Sequence, residues 1–238
     1  MGLNLKTLKP GWRMTMFVVF FLPLTVSLGF WQLSRAAEKE AMEFAYLESL
    51  TKLPVAPGEQ LQDFQRVRLT GRLTIERFMI ENQVRDGQVG YWVVQLFYDE
   101  KTDRNYLVNR GFFPITGEGD DKRVKIPRPR EEISLVGVVW PNTGLVPLLR
   151  DEPVGDPWPK TRQRMDIEAF AREANAEPYE IRLEESEWAP LPAPFSQVMS
   201  PDTHYGYAAT WFGLAVALVI LYIGWGRKNA IKEQVDEA

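Results

Sequence analysis

The sequence has no cysteine and a single histidine, His204. Without cysteine there is no thiolate nucleophile, no disulfide framework, no CxxCH haem attachment and no copper-binding thiol pair. One histidine rules out two histidine ligands to a metal from one copy of the chain. No zinc, P-loop, hydrolase or redox motif is present, and no internal repeat. Charge is also missing locally: Met14 to Ser34 and Tyr205 to Trp225 contain no Asp, Glu, Lys, Arg or His, and residues 183 to 204 contain no Lys or Arg.

At a rise of about 1.5 Å per residue, each uncharged stretch can cross a hydrocarbon layer of about 30 Å. The chain is therefore expected to form a hairpin in the lipid bilayer that carries a large insert. Lys6, Lys9 and Arg13 precede the first stretch and Arg227, Lys228 and Lys232 follow the second, which directs both termini to the cytoplasm and the insert outside. A cleaved signal peptide would also have a basic flank, but it needs a short apolar core and small residues at the cleavage site. This core is long and runs into Phe30-Trp31-Gln32-Leu33. The expected layout is a cytoplasmic flank at 1–13, a transmembrane helix at 14–35, an extracytoplasmic domain at 36–204, a second transmembrane helix at 205–226 and a cytoplasmic tail at 227–238. In a bacterial cell this is a multi-pass inner-membrane protein with a periplasmic domain. Pro23 is expected to bend the first helix without ending it. Ala209, Gly213 and Ala217 form a small-residue ridge expected to pack against the first helix.

The net charge of -4 understates the acidity of the insert, because the six basic residues just named lie in the flanks and only Glu233, Asp236 and Glu237 oppose them. Nucleic-acid binding is not expected, since the insert has no basic stripe. Its size suits one folded domain held by an apolar core. Residues 36 to 50 place Met42, Ala45, Tyr46 and Ser49 at helical spacing, so the first helix should continue out of the membrane until LPVAPGEQ ends it. From Gln65 to Ile80 the pattern alternates, with Val67, Leu69, Gly71, Leu73 and Ile75 on one face. Further strands are expected at 90–98, 105–108, 133–140 and 179–183, and a helix at 166–175 capped by Asp166. Residues 120–130 and 151–159 read as surface connections, and WAPLPAPF as an extended approach to the second helix. The expected fold class is membrane α plus mainly β: a two-helix hairpin with an inserted antiparallel β domain that curls into a partial barrel.

Several segments together resemble the Surf-one (Surfeit locus, Shy-one) family of cytochrome c oxidase assembly proteins. Leu28-Gly29-Phe30-Trp31-Gln32-Leu33-Ser34-Arg35 is similar to the family's LGxWQxxR signature, and His204-Tyr205-Gly206-Tyr207-Ala208-Ala209-Thr210-Trp211-Phe212-Gly213 to its histidine followed by YAxxWF. Between them lie Gly87, Gly90-Tyr91, Leu107 to Pro114 with Asn109-Arg110-Gly111, and Pro141-Asn142. Thr210 departs from the usual Gln, and Thr203 from a common basic residue. The resemblance implies a non-enzymatic role in assembling haem-copper oxidase, with haem a bound or delivered, and with oxidase subunits and the haem a synthesis machinery as partners.

From the residues alone, His204 can offer a neutral imidazole nitrogen to iron beside the membrane, or it can be an interfacial histidine bonded to a loop carbonyl. With the resemblance, His204 becomes the candidate metal ligand, with Trp31, Gln32, Arg35, Tyr207 and Trp211 as candidate haem a contacts. Trp31 and Arg35 are four apart and share a side of the first helix, where they could serve a porphyrin and a propionate or act only as interfacial anchors. With one histidine per chain, five-coordinate iron, another sixth ligand and a site shared in a homo-oligomer all stay open. Asn109 and Gly111 are expected to shape a tight loop, with Arg110 paired to a carboxylate. Two further readings stand beside haem a delivery: an assembly protein that binds no haem, and an exported membrane-bound enzyme.

Overall fold

The computed structural model describes residues 8–117, 123–129, 131–142, 157–195 and 199–236. The expected connections at 120–122, 130 and 151–156 lie outside these. The elements are α1 (Trp12–Thr51), β1 (Arg66–Arg85), β2 (Gln88–Asp99), β3 (Arg104–Thr116), β4 (Arg123–Val124), β5 (Ile133–Trp140), β6 (Lys160–Arg162), α2 (Ile167–Ala174), β7 (Glu180–Leu183) and α3 (Pro201–Asp236). They fall into two compact units, Met1–Phe44 with Ser196–Ala238, and Ala45–Phe195.

The α1 helix runs through Pro23 without a break, its residues to Phe44 belonging to the first unit and Ala45–Thr51 to the second, as the helical spacing of residues 36 to 50 predicts. Pro201 opens α3 where its missing N–H costs nothing, Ser200 Oγ accepts from Thr203 N at 3.4 Å, and Asp202 sits at the positive end of the helix. Both helices are long and apolar enough to cross a membrane, with mean hydropathy 1.9, and their apolar windows are only 17% and 11% buried, unlike the core helix of a globular domain.

The two helices meet along a seam of alternating three- and four-residue steps. On α1 it runs Thr15, Val18, Leu22, Thr25, Gly29, Gln32 and Ala36, all buried or half-buried. On α3 it runs His204, Ala208, Trp211, Ala215, Leu218, Tyr222 and Gly226. This is the spacing that keeps one stripe of a helix facing a partner over several turns. The pairing is antiparallel: Thr15 Oγ1 lies 3.1 Å from Tyr222 OH, and Lys9 N donates to Gly226 O at 3.1 Å, while Gln32 meets His204 at the other end. Gly29 is required for close approach, because a Cβ there would lie 2.6 Å from the Phe212 ring. The expected ridge of Ala209, Gly213 and Ala217 is exposed instead. Each lies one or two residues off the seam, about 100° or more around the helix, and Ala208 and Ala215 fill the inward positions.

In the second unit, β1 pairs with β2 and β5, β5 with β7, β7 with β3, and β3 back with β2, so the strand pairings form a closed circuit. All but the β3–β7 ladder of that circuit are antiparallel, in line with the mainly antiparallel expectation. Asp86 and Gly87, both at positive φ, make the two-residue turn between β1 and β2. Each of the five strands sends residues to one core, including Val67, Phe97, Val108, Leu135 and Ile181. A register shift between Leu73 and Arg77 moves β1 from this core to a second one. Alternation therefore fails at Ile75, which is exposed, while Phe78 and Ile80 are buried against Leu96, Leu107 and the α2 residues Phe170 and Ala171.

The α2 helix forms as its sequence predicts. Asp166 Oδ1 accepts from Ala169 N at 3.0 Å, and Asn175 ends the helix at φ 49°. Its Phe170 stacks on Phe78 at 4.0 Å, and Glu173 ties it to β6 by pairing with Lys160 and, at 3.0 Å, with Arg162. Two expectations are corrected. The β3 strand does not end in a tight loop at Asn109-Arg110-Gly111 but continues to Thr116 through a bulge, and the described part of the 120–130 connection pairs with it as β4. At the bulge Gly111 has φ 86°, and a Cβ would lie 2.1 Å from Leu191 O.

Replacing Gly111 with alanine is expected to cost about 3 kcal/mol or more, by adding left-handed strain and a backbone clash; denaturant unfolding followed by tryptophan fluorescence measures it. Burial alone would raise the Glu173 carboxyl, but its bonds to Lys160 and Arg162 outweigh that and hold it below the ordinary value. Its stabilisation is thus complete above the ordinary carboxylate range and lost as pH falls through the depressed value. Glu173→Gln is expected to cost roughly 1 kcal/mol at pH 7, with the gap to the parent closing under acid in the same unfolding assay.

Candidate functional site

His204 occupies the first turn of α3 and Gln32 the seam of α1, and both are buried. His204 Nδ1 lies 2.7 Å from Gln32 Oε1. The amide oxygen can only accept, so Nδ1 carries a proton, and in the neutral imidazole that tautomer leaves the lone pair on Nε2. Nε2 has no hydrogen-bond partner among the described residues and is not sealed in the interior. The bond corrects one expected arrangement: Gln32 of the neighbouring helix, not a loop carbonyl, holds the imidazole. Each group satisfies the other where an unpaired polar atom would be costly.

The other candidates are placed by helix geometry. At about 100° per residue, Trp31 and Arg35 fall on one side of the α1 seam and Tyr207 on the same side of the antiparallel α3, with Trp211 in the α3 seam at the edge of that side. The opposite flank is taken by Phe30 against Phe212, 5.3 Å between ring centres, and by Tyr205 OH donating to Glu40 at 2.9 Å. Trp31 and Tyr207 are about half exposed, and Trp211 is half-buried. Arg35 pairs with Glu38 at 2.6 Å, an exposed contact of small strength that leaves the guanidinium available at little cost. Of the six candidates, only Gln32 and His204 bond to each other. Among the described residues no group of three or more His, Asp or Glu side chains could hold a metal ion.

In the second unit the Asn109-Arg110-Gly111 bulge is built as a structural unit. Asn109 Oδ1 accepts from Gly111 N at 2.9 Å, and Asn109 Nδ2 donates to Glu180 Oε1 at 2.7 Å. Arg110 is fully buried yet meets no carboxylate among the described residues, against expectation. It donates to Gln95 Oε1 at 2.5 Å, Trp188 O at 2.7 Å and Pro127 O at 2.8 Å. No local signal in the sequence marks Gln95 as its partner, because the two are joined only by the β2–β3 pairing.

The model of the SURF1 family matches residues 19–216, which takes in both helices and the insert. The chain belongs to the SURF1 family. It is similar to the SURF1-like protein of Rickettsia felis, 26% identical over 92% of this chain and 99% of the relative. It is also similar to Surfeit locus protein 1 of Xenopus tropicalis, 26% identical over 87% of this chain and 74% of the relative, and of Homo sapiens, 27% identical over 87% and 75%. The SURF1 match thus includes both Gln32 and His204.

Gln32→Leu leaves His204 Nδ1 buried without its acceptor. The expected cost is about 1–3 kcal/mol, read as a lowered thermal midpoint of the full chain in detergent, with Gln32→Asn recovering less than half of the loss because its amide is one methylene short.

Proposed function

We propose that this SURF1-family chain is an assembly factor for cytochrome c oxidase that binds haem a at the α1–α3 seam and passes it to the oxidase, acting as a carrier rather than an enzyme. The observation that carries this reading is the Gln32–His204 bond, which fixes the imidazole and leaves Nε2 with a lone pair and a path to the surface. Haem a, when bound, would supply an iron centre that His204 Nε2 could hold. Trp31 and Tyr207 offer aromatic surface on the same flank, with Trp211 at its edge, and Arg35 can exchange Glu38 for a propionate, a trade between two exposed carboxylates. The apolar helices would keep the ring and its hydrocarbon tail in lipid.

In this reading the protein lies in the inner membrane with both termini in the cytoplasm. Lys6, Lys9, Arg13, Arg227, Lys228 and Lys232 support that orientation, and it makes the insert periplasmic. The five-strand circuit is then a small barrel-like domain that meets oxidase subunits, with the haem a synthesis machinery upstream. A second reading rests on the same bond: a buried Gln–His pair also suffices to lock two membrane helices, in which case the protein assists assembly without haem.

Purifying the full chain from membranes of cells that make haem a distinguishes them. The expected result is near-stoichiometric haem a by visible spectrum and pigment extraction, lost in His204→Ala and reduced several-fold in Gln32→Leu. A pigment-free parent chain would favour the second reading, and an unchanged spectrum in His204→Ala would overturn the ligand assignment.

A further inference from the structure

Gln95 on β2 is fully buried and stands opposite Arg77 of β1 on one side and Val108 of β3 on the other. Its amide nitrogen donates to Thr74 O at 2.6 Å, and its oxygen receives Arg110, which the β3 bulge turns inward. The far side of the Arg110 guanidinium donates to Pro127 O, the residue before Arg128. Three cationic side chains from β1, β3 and the segment after β4 are thereby gathered in one place. Arg110 is fully buried, Arg77 half-buried and Arg128 exposed, so the group runs from the interior to solvent.

Among the described residues nothing negative pairs with them. The three acceptors of Arg110 are neutral, Arg77 Nε is buried and donates to no protein atom, and among the described residues none of the three arginines pairs with a carboxylate. The rest of this unit handles buried cations differently: Lys160 and Arg162 share Glu173, Arg66 has Glu184 and Arg182 has Glu180. Burial pushes the Arg110 guanidinium down to about 10, with Arg77 adding to the effect, and burial followed by Arg128 lowers Arg77. At neutral pH Arg110 remains charged. A hydrogen-bonding hub inside the sheet would account for Arg110 alone. It does not account for a second guanidinium beside it, which raises the cost of burying the first.

We propose that Arg77, Arg110 and Arg128 form a binding site for one small oxyanion, a phosphate or carboxylate group, entering from the Arg128 side. Arg77, whose Nε is buried without an acceptor among the described residues, and the exposed Arg128 can offer paired N–H donors to such a group, with the N–H groups of Arg110 left over from its three protein bonds beside them, and its charge offsets the repulsion the fold otherwise carries. The site is independent of haem binding.

The test is thermal unfolding of the full chain in nonionic detergent, titrated separately with inorganic phosphate and with acetate, each against sodium chloride at equal ionic strength. One or both anions should raise the midpoint with the logarithm of concentration, by roughly 5 °C at about a hundredfold excess over Kd. Phosphate alone acting assigns the phosphate class, acetate alone the carboxylate class, and both an unselective oxyanion site. Arg77→Gln and Arg128→Gln should each weaken the effect at least tenfold in concentration; Arg128 is exposed, so its variant keeps the fold and decides the matter if Arg77→Gln is poorly behaved. Midpoints that follow chloride alone, or a full response in Arg128→Gln and Arg77→Gln, would overturn the proposal.

Discussion

A hydrocarbon solvent gives apolar side chains no reason to prefer one another over lipid. Two helices in it stay together through close contact and through polar groups that have nowhere else to go. The α1–α3 seam uses both. Gly29 lets the Phe212 ring approach, while Thr15 meets Tyr222 near one end and Gln32 meets His204 near the other. The second of these bonds also orients the imidazole, so one contact both joins the two helices and fixes how the only histidine is presented.

The insert is ruled by two irregularities in otherwise regular strands. The register shift after Leu73 lets β1 serve two cores in succession, which a flat alternating strand could not do. The bulge at Asn109-Arg110-Gly111 turns a guanidinium inward between two sheet neighbours and is held by Asn109 and the left-handed Gly111. Both are departures in backbone geometry. They place charged groups where an ideal strand would place apolar ones.

Much of this was legible in the sequence. The uncharged stretches marked the two long helices, period-two alternation located β1, and Asp166 marked the start of α2 because capping chemistry is local. The bounds of β5 at Ile133 and Trp140 follow directly from its apolar run. What escaped depends on partners distant in sequence. Ile75 reads as buried until the register shift is known, Arg110 reads as needing a carboxylate until Gln95 is found beside it, and the ridge of Ala209, Gly213 and Ala217 reads as an interface until α1 is rotated against α3. The true seam was available in principle, as small and polar residues recurring at three and four steps through both helices. Hydropathy averages over that pattern because every position in these stretches is uncharged.

The Gln32–His204 bond joins positions 172 residues apart. The acceptor is synthesised with the first helix, and the imidazole arrives only with the last. A nascent chain therefore exposes an unpartnered glutamine on its first membrane helix throughout the synthesis and folding of the entire insert. Any message cut short before codon 204 yields a protein that has the strands of the insert and a Gln32 with no imidazole to bond. The helix pair therefore closes only after the insert has been made, which places the joining of its two halves late in synthesis.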